Sequence, residues 1–208
     1  MKLYGRLGSG SGAVEAIVRL TGIDCEIVDL DRWPEGRPPA ELAAVNPLGE
    51  VPSLVLDDGS VMTESAAICV YLSDRHPSAG LSPAIADPRR ADFLRWMFYL
   101  SANVYMTELQ AYYPHRYADD ATGVEAVRRI AASRKTFQWS VFSGALGEKP
   151  YALGEALSAV DIYAAMLVSW VDDLDAFGAR FPNLRGLYDR VGRSPAIASV
   201  WSRHGMPG

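Results

Sequence analysis

Residues 46–68 read NPLGEVPSLVLDDGSVMTESAAI, and the order of turn, strand and helix signals in them decides the fold. Residues 53–56 and 60–62 flank Asp57-Asp58-Gly59, and a short Asp/Gly turn between apolar runs predicts a β-hairpin. Pro52 is tolerated at the head of a strand because it lacks only one donor. A cis Val51–Pro52 bond would turn the Val51 backbone outward as a free edge for an extended ligand. Past the hairpin, Thr63-Glu64-Ser65 lead into AAICVYL, a helical run. Free N–H groups at a helix start favour an anion, and the Ser65 hydroxyl adds a donor. Glu64 is placed to accept from an amino group. A purely structural alternative has Thr63 capping the helix and Glu64 complementing its dipole. Joined to Val51-Pro52, the pattern points to a grip on a small peptide-like anion.

Outward from this stretch, the first part of the chain alternates. Residues 2–4 predict a strand, 13–21 a helix, 25–30 a second strand and 39–45 a short helix after the loop DRWPEGRP. With the hairpin and a helix over 64–75, the order is βαβαββα, an α/β unit with a small mixed sheet. Residues 77–88 carry three prolines and a glycine and predict a linker. Beyond it only helices are expected. The first runs over 89–112, with Phe93, Met97, Leu100 and Val104 at helical spacing. A second covers 124–146, with Val127, Ile130, Phe137 and Val141 on one face. Helices over 159–177, 184–192 and 195–203 complete an all-helical unit, and Ser158 with Asp161 forms a capping-box start. The expected division is a domain over 1–77, a linker over 78–87 and a helical domain over 88–208.

At 208 residues the chain has ample core for independent stability, and 49% hydrophobic with 22% charged residues is ordinary for a soluble globular protein. A net charge of −5 without a dense Lys/Arg stripe argues against nucleic acid. The start MKLYGRLGSGSG lacks the long apolar core of a signal peptide, and the apolar run over 162–171 is too short to span a bilayer. Cys25 and Cys69 form neither CxxC nor zinc spacing, which makes a reducing cytoplasm the expected compartment. No metal site is expected.

Residues 8–13, GSGSGA, follow the first strand and open a helix, satisfying G-x-G-x-x-[GA], with Asp29 about twenty residues on. A dinucleotide fold, however, needs continuing parallel βαβ units, whereas this chain turns to a hairpin and then helices. A phosphate loop of Walker type lacks its Lys. A different use suits the later features: Ser9 or Ser11 donating to a thiolate at the helix N-terminus, where a hydrogen bond and the positive dipole end lower a thiol pKa. Each unit of lowering stabilises the thiolate by about 1.4 kcal/mol. The bland alternative is a turn whose serines cap the first helix.

The arrangement resembles the cytosolic glutathione transferases, with a thioredoxin-like N-terminal domain and an all-helical C-terminal domain. NPLGEVPSL and TESAAICVYL carry the resemblance most specifically, the first strand and loop well, and YALGEALSAVDIY looks like the family's capping motif. It implies that the Val51 backbone pairs with the cysteinyl unit of glutathione beside a cis Pro52, while Glu64 and Ser65 hold the γ-glutamyl end. The activating hydroxyl of the serine-type members falls at Ser9, with Ser11 the close second choice. Bacterial beta-type members carry a cysteine at the position of Gly10, which excludes mixed-disulfide chemistry through that residue. Tyr4 lies early for the tyrosine-type members and fits the core. The resemblance also implies a homodimer.

Two positions depart from the pattern. Related proteins often place Lys, His or Gln at Leu48 or Glu50, toward the glycine carboxylate of glutathione. Here Glu50 would repel that carboxylate by about 1 kcal/mol or more, unless Arg32, Arg37 or a partner-subunit cation compensates. The second substrate is expected between the loop at 8–12 and the helical domain, lined by Tyr105, Met106, Tyr112 and Tyr113, with His115 nearer the surface. The implied activity is addition of the glutathione thiolate to an electrophilic apolar small molecule, without a covalent enzyme intermediate. Glutathione is a co-substrate in this scheme. Two alternatives remain open: a glutathione-dependent isomerase or dehalogenase, and a non-catalytic binding or stress protein on the same fold.

Overall fold

The computed structural model describes residues 1–206. Strand β1 (Lys2–Gly5), helix α1 (Ser11–Thr21), β2 (Glu26–Asp29), α2 (Ala40–Val45), β3 (Ser53–Val55), β4 (Val61–Met62) and α3 (Ser65–Arg75) reproduce the expected βαβαββα order. The strands form one mixed sheet in the order β2-β1-β3-β4. β1 pairs parallel to β2, Leu3 opposite Ile27, and antiparallel to β3, Leu3 opposite Leu54. The Asp57–Gly59 turn closes the β3–β4 hairpin, with Asp58 accepting from the Ser60 N–H at 2.9 Å. The Val51–Pro52 bond is cis.

Apolar side chains divide between two sides of this sheet. Leu3 and Leu54 face α1 and α3, whose Ala13, Ile17, Ile68 and Leu72 are fully buried and continuous with the main core. Tyr4, Leu30 and Leu42 form a smaller cluster under α2, which makes Tyr4 a core residue. The Pro-rich joining segment holds a 3₁₀ turn over Pro77–Ala79 and is pinned to both sides. Arg90 makes two 2.6 Å bonds to Asp74, and the Ala159 N–H donates to the Leu81 carbonyl.

The helical part comprises α4 (Arg90–Tyr99), a π-helical segment over Leu100–Tyr105, α5 (Met106–Tyr112), α6 (Ala121–Leu146), α7 (Ala159–Val168), α8 (Leu174–Arg180), α9 (Pro182–Gly192) and α10 (Pro195–Arg203). All ten residues of α7 are buried, and it packs against α1, α3, α4 and α9, so one core runs through both parts. The capping box at its start is complete: Asp161 accepts from the Ser158 N–H at 2.8 Å and the Ser158 hydroxyl at 2.7 Å.

Three expectations for the helices are corrected. The helix over 89–112 is interrupted by the π segment, whose wider turn re-aims the residues that follow it. The helix expected over 159–177 breaks after Val168, because Asp173 caps a new helix by accepting from the Asp175 and Ala176 N–H groups. On α6, Ile130 and Phe137 face outward, and the buried stripe is Ala131, Gln138, Trp139, Phe142 and Leu146.

Candidate functional site

A cleft of about 830 Å³ opens where the loops after β1, β2 and α2 meet the π segment and α5. One wall comes from residues 46–65. Val51, Pro52, Thr63, Glu64 and Ser65 all line it, with Leu48 and Glu50 beside them. Asn46 organises this wall from beneath. It is buried, donates to the Glu50 carbonyl at 3.0 Å and to the Ser53 hydroxyl at 3.1 Å, and accepts from the Leu48 N–H at 3.1 Å.

The N-cap of α3 is Glu64, one residue later than the Thr63 alternative. Glu64 has φ 65° and ψ 102°, a conformation that costs a non-glycine residue about 1–3 kcal/mol. No side chain caps α3, which leaves its first-turn N–H groups for a ligand anion at the cleft wall. The Ser65 hydroxyl lies 2.8 Å from the Tyr163 hydroxyl on α7, so the helical part fixes the orientation of this donor.

The N-terminus of α1 forms the floor. Ser9 lines the cleft and Ser11 does not. The Ser9 hydroxyl donates to the Arg6 carbonyl at 2.6 Å and sits 2.9 Å from the Ser11 hydroxyl. Ser11 is turned inward: its hydroxyl donates to the Arg6 carbonyl at 2.9 Å and accepts the Arg6 N–H at 3.1 Å. That closure removes Ser11 from the cleft, a correction to its pairing with Ser9 as an alternative donor. Gly8 (φ 70°) is tied to the C-cap of α10, its N–H donating to Nδ1 of His204 at 3.2 Å.

Across the floor stand Tyr105, Met106, Leu109, Tyr113 and Tyr163. Tyr112 is not among them; it lies at the end of α5, exposed, its ring edge-on to Tyr113. Arg37 is also outside the cleft. A turn from Pro34 through Gly36 (φ 71°) directs it to solvent, and Arg32 lines the cleft in its place. The mouth is bridged by Glu35, which takes His115 Nε2 at 2.9 Å and the Arg116 guanidinium, joining the loop after β2 to the segment after α5.

Sequence reasoning passed over Arg6. Its guanidinium lies 5.8 Å from the Trp33 ring, its Nε is buried without a partner, and its side chain lines the cleft. Asp29, the acidic residue of the rejected dinucleotide pattern, is engaged by Arg203. Among the described residues no cluster suited to a metal ion occurs, and no helix is long and apolar enough to cross a membrane.

Residues 12–75 match the family model described as glutathione S-transferase, N-terminal domain, and residues 105–195 match that of the C-terminal domain. An uncharacterized GST-like protein of Escherichia coli (strain K12), YncG, is 33% identical over 205 residues, covering 98% of each chain. Among solved structures, the ternary complex of BphK, a bacterial GST, is 26% identical with a TM-score of 0.85, covering 99% of this chain and 100% of its own. A sphingomonad glutathione S-transferase complexed with glutathione is 28% identical with a TM-score of 0.82, covering all of both chains. With two family models over most of its length and a full-length relative of this similarity, the chain belongs to the glutathione S-transferase family.

Proposed function

We propose that the protein is a glutathione transferase that adds the glutathione thiolate to an electrophilic small molecule. The observation that carries this is the meeting, in one cleft, of the Val51 backbone edge, the uncapped start of α3 with Glu64 and Ser65, and the N-terminus of α1 with Ser9. A γ-glutamyl group carries an ammonium and a carboxylate, which suit Glu64 and the α3 N-terminus respectively. The cysteinyl unit then runs along Val51, and its sulfur falls at the α1 N-terminus. The thiol proton leaves to solvent; the sulfur forms the new bond to carbon, and the electrophile releases its leaving group or takes up a proton.

Arg6 and Arg32 supply the positive charge that offsets Glu50. Met106, Leu109 and Tyr113 offer apolar surface to the electrophile. In this scheme residues 1–77 bind glutathione, 78–87 join the parts and 88–208 hold the second substrate. Two free cysteines agree with a reducing cytoplasm. We also place the chain in a homodimer: the outer strand β4 with Val61, and exposed Phe98 and Phe137, are the apolar surface it would cover. Light scattering is expected to give twice the 22.6 kDa chain mass, and a monomer mass refutes the dimer.

Calorimetric titration with glutathione, followed by a conjugation assay with a small aryl halide, tests the activity. Binding below millimolar concentration, with the absorbance of a thiolate near neutral pH, is expected. No binding at millimolar glutathione overturns the proposal and favours a non-catalytic protein on this fold.

A further inference from the structure

The hydrogen bonds at the α1 N-terminus leave Ser9 poorly placed to donate. Ser9 and Ser11 bring two hydroxyl protons to a closed set of acceptors. Ser11 accepts from the Arg6 N–H and donates to the Arg6 carbonyl. Ser9 accepts from the Ser11 N–H at 3.3 Å and donates at 2.6 Å to that same carbonyl. The Gly12 N–H is also taken, by the Ser9 carbonyl at 3.1 Å. A sulfur anion arriving here would draw the Ser9 proton out of a short bond already made, so most of the gain would be offset.

Directly above this point stands another hydroxyl. An ideal Cβ built on Gly10 would fall 2.7 Å from the Tyr105 hydroxyl oxygen and 3.0 Å from its ring. The phenol therefore occupies the space that a side chain at position 10 would fill. Its oxygen lies against the Gly10 backbone, and among the described residues no acceptor takes the phenol's own proton. The ring is held firmly: it ends the π segment, lies edge-on to Trp170 at 5.1 Å and tilted over Tyr163 at 6.4 Å. A π turn is a frequent device for aiming one side chain into a site.

We infer that the principal hydroxyl stabilising the thiolate is that of Tyr105, reaching from the helical part over Gly10 to the N-terminus of α1, with Ser9 the lesser donor. This rests on the glutathione transferase proposal above and names the donor within it. The charged and titratable groups facing the phenol are Arg6, Glu50, Glu64 and Tyr163. Burial foremost, then Glu50, pushes its pKa up to about 12, so it stays protonated and able to donate through the neutral range. A hydrogen bond to the charged form of a thiol lowers the thiol pKa.

The test titrates the thiolate absorbance of bound glutathione against pH in the wild type, Tyr105→Phe, Gly10→Ala and Ser9→Ala. Tyr105→Phe keeps the ring packing, and Gly10→Ala pushes the hydroxyl away while leaving it present. Both are expected to raise the bound thiol pKa by about one unit, lowering kcat/KM about tenfold below that pKa. The rates should converge with wild type at high pH, and the glutathione Kd should stay within about twofold. Ser9→Ala is expected to change kcat/KM less than about threefold. An unshifted thiol pKa in a folded Tyr105→Phe, or a larger effect from Ser9→Ala, overturns the inference while the transferase assignment stands. Absence of any lowered thiol pKa in wild type overturns both.

Discussion

At the scale of single residues, the cleft depends on side chains whose chemistry is not their own site's. Asn46 is the clearest. Its three hydrogen bonds, to residues two, four and seven positions on, hold Leu48, Glu50 and Ser53 in the turn that presents Val51. Replacing it by alanine leaves the Leu48 N–H without its acceptor and the Glu50 carbonyl with the Ser53 hydroxyl alone, and a buried group left unsatisfied costs about 1–3 kcal/mol. Asn46→Ala is therefore expected to lower the urea midpoint and to raise the glutathione KM several-fold while changing kcat little. An unchanged KM in a folded variant would detach Asn46 from the binding wall. The sequence made Val51, Pro52, Glu64 and Ser65 legible because each carries a local signal: a proline at a strand head, polar residues at a helix start. Asn46 carries none, since its partners come within reach only when the loop closes over β3. Arg6 was illegible for a similar reason. An arginine after a strand looks like any surface arginine until Trp33 and the helical part close over it.

At the scale of elements, strong punctuation was readable and phase was not. The hairpin turn, the Gly-rich loop and the Ser158–Asp161 box are each fixed by residues adjacent in sequence, and all three form where expected. On α6, by contrast, Val127, Ile130, Phe137 and Val141 share a face, yet the core takes Trp139 and Phe142 instead. Large aromatics won the buried face: Trp139 and Phe142 pack with Trp96 and Phe177 at ring distances of 5.3–6.3 Å. Such edge-to-face pairs add about 0.5–1.5 kcal/mol each beyond area burial, whereas Phe137 on the other face stands exposed. The π segment left no trace in the spacing, because Phe93, Met97, Leu100 and Val104 satisfy an unbroken helix and are all buried in the actual one. Its consequence lies at its last residue, where Tyr105 is turned into the cleft.

At the scale of the whole molecule, α10 and the residue after it close against α1 behind the site. Glu15 of α1, buried at 2% exposure, takes the Arg203 guanidinium and His204 Nε2 at 3.0 Å, while Arg203 also reaches Asp29. Because Nδ1 of His204 accepts the Gly8 N–H, the imidazole's Nε2 carries the proton given to Glu15. A continuous set of bonds thus runs from α10 through α1 to the loop bearing Ser9. Burial acts to raise the Glu15 pKa, but the bonds from His204 and Arg203 outweigh it and leave the carboxyl below its ordinary value. A carboxyl lowered in the folded state binds fewer protons there than in the unfolded chain. Its stabilisation is therefore complete above the unfolded pKa of about 4.3 and is lost as pH falls through the lower folded value. Glu15→Gln keeps the shape and removes the charge from a buried pair, at an expected cost of about 3 kcal/mol. The denaturation midpoint of the variant should lie below wild type at pH 7, and the gap should narrow as the pH falls below about 4. A constant gap across that range would assign the loss to packing alone. Because the same bonds steady Gly8, the variant should also lose kcat, a loss that a purely structural tie between α1 and α10 would not produce.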